Sequence, residues 1–253
     1  MTEETTWSIK ALDTGTSTIE GSIRTYLRHC GEPVSIPRIM WLLEGPTTIV
    51  VDTSVDPLLK PYEFFGESFE RSREQIPENA LKAAGVTPKD VEFVVLTHLH
   101  WDHCGNCALF PEARVVVQEA ELRYAISPGR SFRVGYLSPG SGWPHLPSYL
   151  VPNLTTVRGQ HEIAPGVTLL PVPGHTPGSQ AVLVETGSGT YCITGDAMMT
   201  YENIELDVPP GYHTDVDAAM DSLDLMKART SLLLPSHDHA VFRDRPVTLI
   251  ASR

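Results

Sequence analysis

The segment THLHWDHCGN, residues 97–106, concentrates side chains that bind metal ions. These side chains fall within six consecutive positions and are His98, His100, Asp102 and His103. His98 and His100 are two residues apart, so in an extended chain their side chains can point the same way. Asp102 and His103 are adjacent, so their side chains point in different directions and suit a second ligand position better than the first. Because imidazole and carboxylate suit zinc, and also iron, cobalt or manganese, this spacing favours two neighbouring metal ions.

Two metal ions need more than four ligands, and further candidates follow apolar strands later in the chain. His175 lies in the Gly/Pro turn of PVPGHTPGSQ, and Asp196 directly follows the run TYCITG. His237 and His239 follow the run SLLLPS. A carboxylate such as Asp196 can give one oxygen to each ion and so bridge them. The sequence therefore predicts a dinuclear metal site at a place where several strands end.

Apolar runs of strand length fall into two groups along the chain. They cover 38–45, 47–54, 91–97 and 113–118 in the first half, and 166–172, 180–186, 190–196 and the beginning of 231–239 in the second. Helical patterns cover 73–86 and 214–230, the second with Thr214 or Asp215 as its N-cap. Two groups of strands with helices outside each group predict an α/β fold in which two sheets pack face to face between helical layers.

The sequence shows no linker between domains and no internal repeat. We therefore expect residues 1–253 to form one domain. Residues 126–150 are rich in proline, glycine, serine and aromatic residues. A loop of this length inside a domain is typically a lid or a wall of a binding site. The alternative is that its aromatic residues anchor the loop to the body of the protein or to a partner subunit.

The composition excludes several classes of partner. The chain carries 19 basic and 31 acidic residues, a net charge of −12, so neither nucleic acid nor an anionic membrane surface is an expected partner. No apolar run approaches the length that spans a bilayer. The first residues lack the pattern of a secretory signal, and we expect a cytoplasmic protein with free thiols at its four cysteines.

The histidine segment, together with the later motifs PGHTPGS, TGD and SHD, resembles the metallo-beta-lactamase superfamily of hydrolases. The resemblance extends over most of the chain, from VVDTS at Val50 to SHD at Asp238. It implies a four-layer αββα sandwich that holds its metal ions at one edge of the two sheets. It also implies that Asp52, within VVDTS, supports the metal site from behind.

The resemblance implies a ligand set for two Zn²⁺ ions per chain, with other divalent metals as alternatives. One ion takes His98, His100 and His175, the other takes Asp102, His103 and His237, and Asp196 bridges them. His237 and His239 compete for one position. We assign it to His237, because the ligand in the superfamily directly follows a small residue after an apolar strand, as His237 follows Ser236 here. His239 then lies outside the ligand set.

Within the superfamily, three stretches most resemble the N-acyl-homoserine lactonases and pyridoxolactonase: LTHLHWDHCGN, residues 126–150 and VPPGYHTDVDAAMDSL. The implied reaction is hydrolysis of a cyclic ester, in which a hydroxide bridging the two ions attacks the carbonyl carbon and Asp102 accepts its proton. These lactonases carry a tyrosine three residues beyond the bridging aspartate, where it polarises the ring carbonyl, but Met199 occupies that position here. Either Tyr201 or His213 takes over that catalytic role, or the substrate is not a lactone of that kind.

Other reactions remain open on the same metal site. A thioesterase similar to glyoxalase II, or a hydrolase of another cyclic ester, amide or xenobiotic compound, would use the same ligands. A diiron redox module is disfavoured for two reasons. No flavin-binding region is visible in the sequence, and the motif PGHTPGS offers His175 as a ligand, where a diiron site would favour an acidic residue. The expected partner is a small, neutral molecule with an apolar part, and a homodimer is left open.

Overall fold

The first of two β-sheets contains the segments that lead into the histidine motif. The computed structural model describes residues 6–60, 66–242 and 247–252. Eight strands of this part form the first sheet: β1 (Ser8–Glu20), β2 (Pro33–Glu44), β3 (Thr48–Val51), β4 (Ser68–Glu70), β5 (Phe93–Val95), β6 (Arg114–Gln118), β7 (Leu154–Val157) and β13 (Val247–Ala251). Their order is β13-β1-β2-β3-β5-β6-β7, with β4 paired to β1.

The second sheet contains five strands from the described second half of the chain. They are β8 (His161–Ala164), β9 (Val167–Pro171), β10 (Gln180–Thr186), β11 (Gly189–Ile193) and β12 (Leu232–Leu234), in the order β12-β11-β10-β9-β8. The inner faces of the two sheets share one apolar cluster. Trp41, Ile49 and Val95 enter it from the first sheet, and Leu169 and Val182 enter it from the second.

Helices cover the outer faces of both sheets. The described α-helices are α1 (Gly21–Arg24), α2 (Pro77–Ala83), α3 (Glu119–Ile126), α4 (Tyr201–Glu205) and α5 (Val216–Arg229). Leu81 of α2 and Ala125 of α3 join the apolar cluster on the outside of the first sheet. Leu223 and Met226 of α5 pack on the second sheet. The layers run helix, sheet, sheet, helix, which confirms the predicted αββα sandwich. Among the described helices, none combines the length and apolar character needed to cross a membrane.

Several boundaries differ from those predicted, for local reasons. The helix predicted over 73–86 begins only at Pro77, because proline suits the first turn of a helix and not its interior. Strand β1 was not predicted, since its sequence SIKALDTGTSTIE mixes polar residues with a Thr-Gly-Thr interruption. That interruption coincides with a register shift between Asp13 and Thr16. In α5 the side chain of Asp215 accepts a hydrogen bond from the backbone N–H of Ala218, as expected for an N-cap.

Parallel pairing brings the ends of separate strands to one edge of the sandwich. In the first sheet β3 pairs with β5 in parallel, and β5 pairs with β6 in parallel. In the second sheet β11 pairs with β12 in parallel. Asp52 follows β3, the histidine segment follows β5, and Asp196 and His237 follow β11 and β12. The fold therefore places these segments at the carboxyl ends of neighbouring strands, whereas His175 lies in the turn between β9 and β10.

Candidate metal centre

Asp52 supports the histidine segment from the neighbouring strand. It has φ 60°, a left-handed conformation that is rare for a residue other than glycine but tolerated by aspartate. One carboxylate oxygen accepts a hydrogen bond from the backbone N–H of Thr97 at 2.8 Å. The other accepts from Thr97 Oγ1 and from His103 Nδ1, each at 2.8 Å. The carboxylate of Asp52 therefore binds both Thr97 and His103 in the segment that follows β5.

The first ligand group consists of three imidazoles. His98 Nε2 lies 3.0 Å from His100 Nδ1, and His175 Nε2 lies 3.2 Å and 3.0 Å from these two atoms. All three side chains are buried. Burial, together with the neighbouring imidazoles, holds the pKa values of His98 and His100 well below the ordinary value, so both rings are neutral near pH 7. Neutral nitrogens that converge in this way fit a cation, since tetrahedral zinc with Zn–N bonds of about 2.0–2.1 Å separates its nitrogens by about 3.3 Å.

The second ligand group consists of Asp102, His103 and His237. Asp102 Oδ2 lies 3.5 Å from His103 Nε2 and 3.7 Å from His237 Nε2. Both Nε2 atoms are buried without a well-directed hydrogen bond. Burial lowers the pKa of His103, but the carboxylates of Asp196, Asp102 and Asp52 outweigh it and raise that pKa well above the ordinary value. The same concentration of negative charge favours a bound cation.

The carboxylate of Asp196 lies between the two groups. Its Oδ1 is 3.2 Å from His103 Nε2 and 3.1 Å from His237 Nε2, whereas its Oδ2 is 3.5 Å from His175 Nε2. The preceding Gly195 makes this approach possible, because a Cβ atom there would lie 2.7 Å from Thr97 Cβ. One oxygen of Asp196 thus faces each ligand group.

Hydrogen bonds behind the ligands fix the orientation of their rings. His175 Nδ1 lies 2.5 Å from the carbonyl oxygen of Tyr212, and His237 Nδ1 lies 2.9 Å from that of Pro37. A carbonyl can only accept, so each Nδ1 carries the proton and each Nε2 presents its lone pair to the centre. Partners of this kind normally orient metal-binding histidines.

Sequence reasoning missed a buried glutamate that connects two ligand segments. Glu121 in α3 is fully buried and accepts hydrogen bonds from the backbone N–H groups of Leu99 and Gly178, at 2.9 Å and 3.2 Å. It also accepts from Thr176 Oγ1 at 2.6 Å and from Tyr136 Oη at 2.9 Å. No motif surrounds Glu121, and its role depends on contacts that are distant in sequence.

Arg38 is a second residue that the sequence analysis did not single out. It is buried in β2, its Nε donates to Ser17 Oγ at 3.0 Å, and one terminal nitrogen donates to Glu67 at 2.9 Å. The other terminal nitrogen donates to Asp102 Oδ2. Burial raises the pKa of Glu67 to about 7, although Arg38 acts in the opposite direction. A basic residue inside the apolar run IPRIMWLL was the available signal.

The ligand groups open into a cavity of about 260 Å³. Its described lining consists of Ile19, Ile23, Ile36, Arg38, Glu67, His100, Trp101, Asp102, Ser131, Val134, Gly135, His175, Asp196, Met199 and Tyr212. Tyr201 and His213 are not part of this lining. Tyr201 is partly buried and packs against two apolar clusters. His213 Nδ1 donates a hydrogen bond to the carbonyl oxygen of Pro210 at 2.8 Å. The catalytic roles of both residues stay predictions.

Substitutions at the two competing histidines are expected to have different effects on metal content. His239 is exposed, and its Nε2 lies 3.1 Å from Ser35 Oγ, whereas His237 is buried and faces Asp196. We expect His237→Ala to lose bound metal and His239→Ala to keep it. Elemental analysis of the purified variants measures this, and retention in His237→Ala with loss in His239→Ala would reverse the assignment.

The sequence of this chain is similar to a known protein family and to individual proteins of known name. Residues 40–237 match the model of the family described as the metallo-beta-lactamase superfamily. An N-acyl homoserine lactonase of a Bacillus species is 33% identical over 212 residues, which cover 78% of each chain. An N-acyl homoserine lactonase of Bacillus thuringiensis is 31% identical over 225 residues, which cover 82% of this chain and 84% of the relative.

Solved structures of similar proteins agree with these sequence matches. A Bacillus thuringiensis AiiA variant with N-decanoyl-L-homoserine bound at its active site is similar with a TM-score of 0.77 and 28% identity, over 93% of this chain and 95% of the other. An N-acyl homoserine lactone hydrolase that has N-hexanoyl-L-homoserine bound at its catalytic metal centre is similar with the same TM-score of 0.77, the same identity of 28% and the same coverage of 93% and 95%. These matches confirm the predicted resemblance to hydrolases of the lactonase type.

Proposed function

The chain belongs to the metallo-beta-lactamase superfamily, and from this premise we propose that it is a hydrolase that uses two divalent metal ions to open a lactone ring. The position of Asp196 carries the proposal, because its two carboxylate oxygens face two separate groups of buried ligands. The lactone substrate is supported by the relatives that are named N-acyl homoserine lactonases and by the related structures with acyl-homoserine products.

The proposed ligand set divides between the two ions as the sequence implied. His98, His100 and His175 would hold one ion, Asp102, His103 and His237 would hold the other, and Asp196 would join them. When bound, the two ions supply Lewis acidity and a bridging hydroxide near neutral pH. Imidazole and carboxylate ligands favour zinc as the metal. Asp102, beside this centre, would accept the proton that the attacking water loses.

The cavity wall supports a neutral substrate with an apolar part. Ile19, Ile36 and Met199 form a buried apolar cluster on one side of the cavity. From the long loop, Val134 and Gly135 line the cavity, whereas Tyr136 is buried in the main body. We propose that residues 126–150 belong to the same single domain as the rest of the chain and act as one wall of the substrate site.

A substrate panel with and without metal tests this function. We expect close to two metal ions per chain, and acid release from acyl-homoserine or aromatic lactones measured with a pH indicator. Chelation should abolish this activity, and added Zn²⁺ should restore it. Hydrolysis of thioesters without hydrolysis of lactones, or lactone hydrolysis that survives full removal of the metal, would contradict the proposal.

A further inference from the structure

Glu67 is a carboxylate on the cavity wall that the metal centre does not use. Three carboxylates line the described part of this cavity: Glu67, Asp102 and Asp196. Asp102 and Asp196 belong to the groups of candidate metal ligands, whereas Glu67 does not. An acid that faces a substrate cavity and is not committed to a metal ion can take part in proton transfer.

Arg38 holds Glu67 in a fixed position. The guanidinium donates to Glu67 at 2.9 Å, and the two side chains are only 3% and 14% exposed. Arg38 is itself held by Ser17 and packs 4.9 Å from the ring centroid of Trp101. Glu67 is therefore a partly enclosed group with a defined orientation, unlike a solvated carboxylate on the surface.

Neighbouring groups on the wall are less suited to give a proton to a substrate. Asp102 Oδ2 accepts from Arg38 and faces two candidate ligand imidazoles, and Asp102 is already the group proposed to take the proton that the attacking water loses. Burial raises the pKa of Tyr212 to about 12. Met199, at the position of the lactonase tyrosine, has no proton to give. Burial raises the pKa of Glu67 to about 7, which leaves its acid form available near neutral pH.

We propose that Glu67 is a further catalytic residue, which donates a proton to the ring oxygen of the lactone as the ring opens. This inference rests on the proposed function. After water has added to the carbonyl carbon, the bond between that carbon and the ring oxygen breaks, and its electron pair goes to the ring oxygen. The proton of Glu67 moves to this oxygen, which yields the alcohol and leaves Glu67 as a carboxylate. The new carboxylic acid ionises and returns a proton to Glu67. The other proton of the attacking water, which Asp102 accepts, passes from Asp102 to solvent.

The proposal predicts a dependence on the leaving group. An aliphatic alkoxide is a strong base and needs a proton as it leaves, whereas a phenolate leaves readily without one, because phenols have a pKa of about 10. Loss of the acid at position 67 should therefore slow the opening of aliphatic lactones far more than that of aryl lactones. Loss of a residue with a purely structural role would slow both to the same extent.

The test compares Glu67→Gln with the wild type on an N-acyl homoserine lactone and on 3,4-dihydrocoumarin. The glutamine oxygen can still accept from Arg38, so the wall should keep its structure. We expect kcat on the aliphatic lactone to fall by about 100-fold or more, the usual contribution of general acid catalysis, and kcat on dihydrocoumarin to fall by less than about 10-fold. Glu70→Gln, the same substitution at an exposed position of β4, is the matched control and should match the wild type on both substrates.

Equal losses on the two substrates, or no loss on either, would overturn the role of Glu67. Metal analysis of Glu67→Gln shows whether a loss of activity comes from a loss of bound metal. We expect the same metal content as in the wild type. Failure of the proposed function would be seen in the wild type, which would then open neither lactone.

Discussion

Replacement of Asp196 by alanine is expected to lower lactone hydrolysis by at least about 1000-fold and to leave fewer than two metal ions per chain. The carboxylate faces both ligand groups, with Oδ1 3.1 Å from His237 Nε2 and Oδ2 3.5 Å from His175 Nε2. Alanine would remove an anionic ligand from both proposed ions and leave Ser236 Oγ without its acceptor. Elemental analysis and kcat/KM on a lactone measure the two effects.

Asp221→Ala is the matched control for this substitution. Asp221 lies on the exposed side of α5, so loss of its carboxylate should change neither metal content nor rate. Two ions per chain together with wild-type rates in Asp196→Ala would contradict the bridging position. Loss of activity with both ions retained would also contradict it, because the proposed effect acts through metal binding.

The location of the candidate ligands could be predicted from sequence because each follows an apolar run. His98, Asp196 and His237 each lie three positions beyond the end of a short strand that contains buried side chains, a pattern that is visible in the sequence. Parallel pairing then brings such strand ends to one edge, and the αββα arrangement supplies that pairing. The chemistry of these side chains and the period of the strands were thus sufficient to single out segments that the structure brings together.

The supporting residues could not be predicted in the same way, because their roles depend on contacts across long sequence separations. Arg38 meets Asp102 across 64 positions, and Glu121 meets Thr176 across 55. Neither pair forms a local motif. Strand β1 was missed for a related reason, since it pairs not only with the next strand β2 but also with β4 and β13, which are distant in the chain. Local patterns specify elements, but the partners of a buried charge emerge only when the fold is assembled.

Glu121→Ala is expected to destabilise the protein by about 3–5 kcal/mol. Four donors would lose their common acceptor inside the protein: two backbone N–H groups, at Leu99 and Gly178, and two hydroxyl groups, at Thr176 and Tyr136. In a domain of this size such a loss lowers the melting temperature on the order of 10 °C. Thermal unfolding of the metal-free proteins measures it without any contribution from bound metal.

The same substitution is expected to reduce metal affinity, because Leu99 lies between His98 and His100, and Thr176 follows His175. Glu119→Ala is the matched control, since Glu119 begins the same helix but forms its ion pairs with Arg123 and Arg158 at the surface, where ion pairs contribute little. A melting temperature of Glu121→Ala equal to that of the control would refute the structural role of this carboxylate. Lower stability with unchanged metal affinity would refute its proposed link to the three histidines, because a single carboxylate that holds both segments must affect the fold and the metal site together.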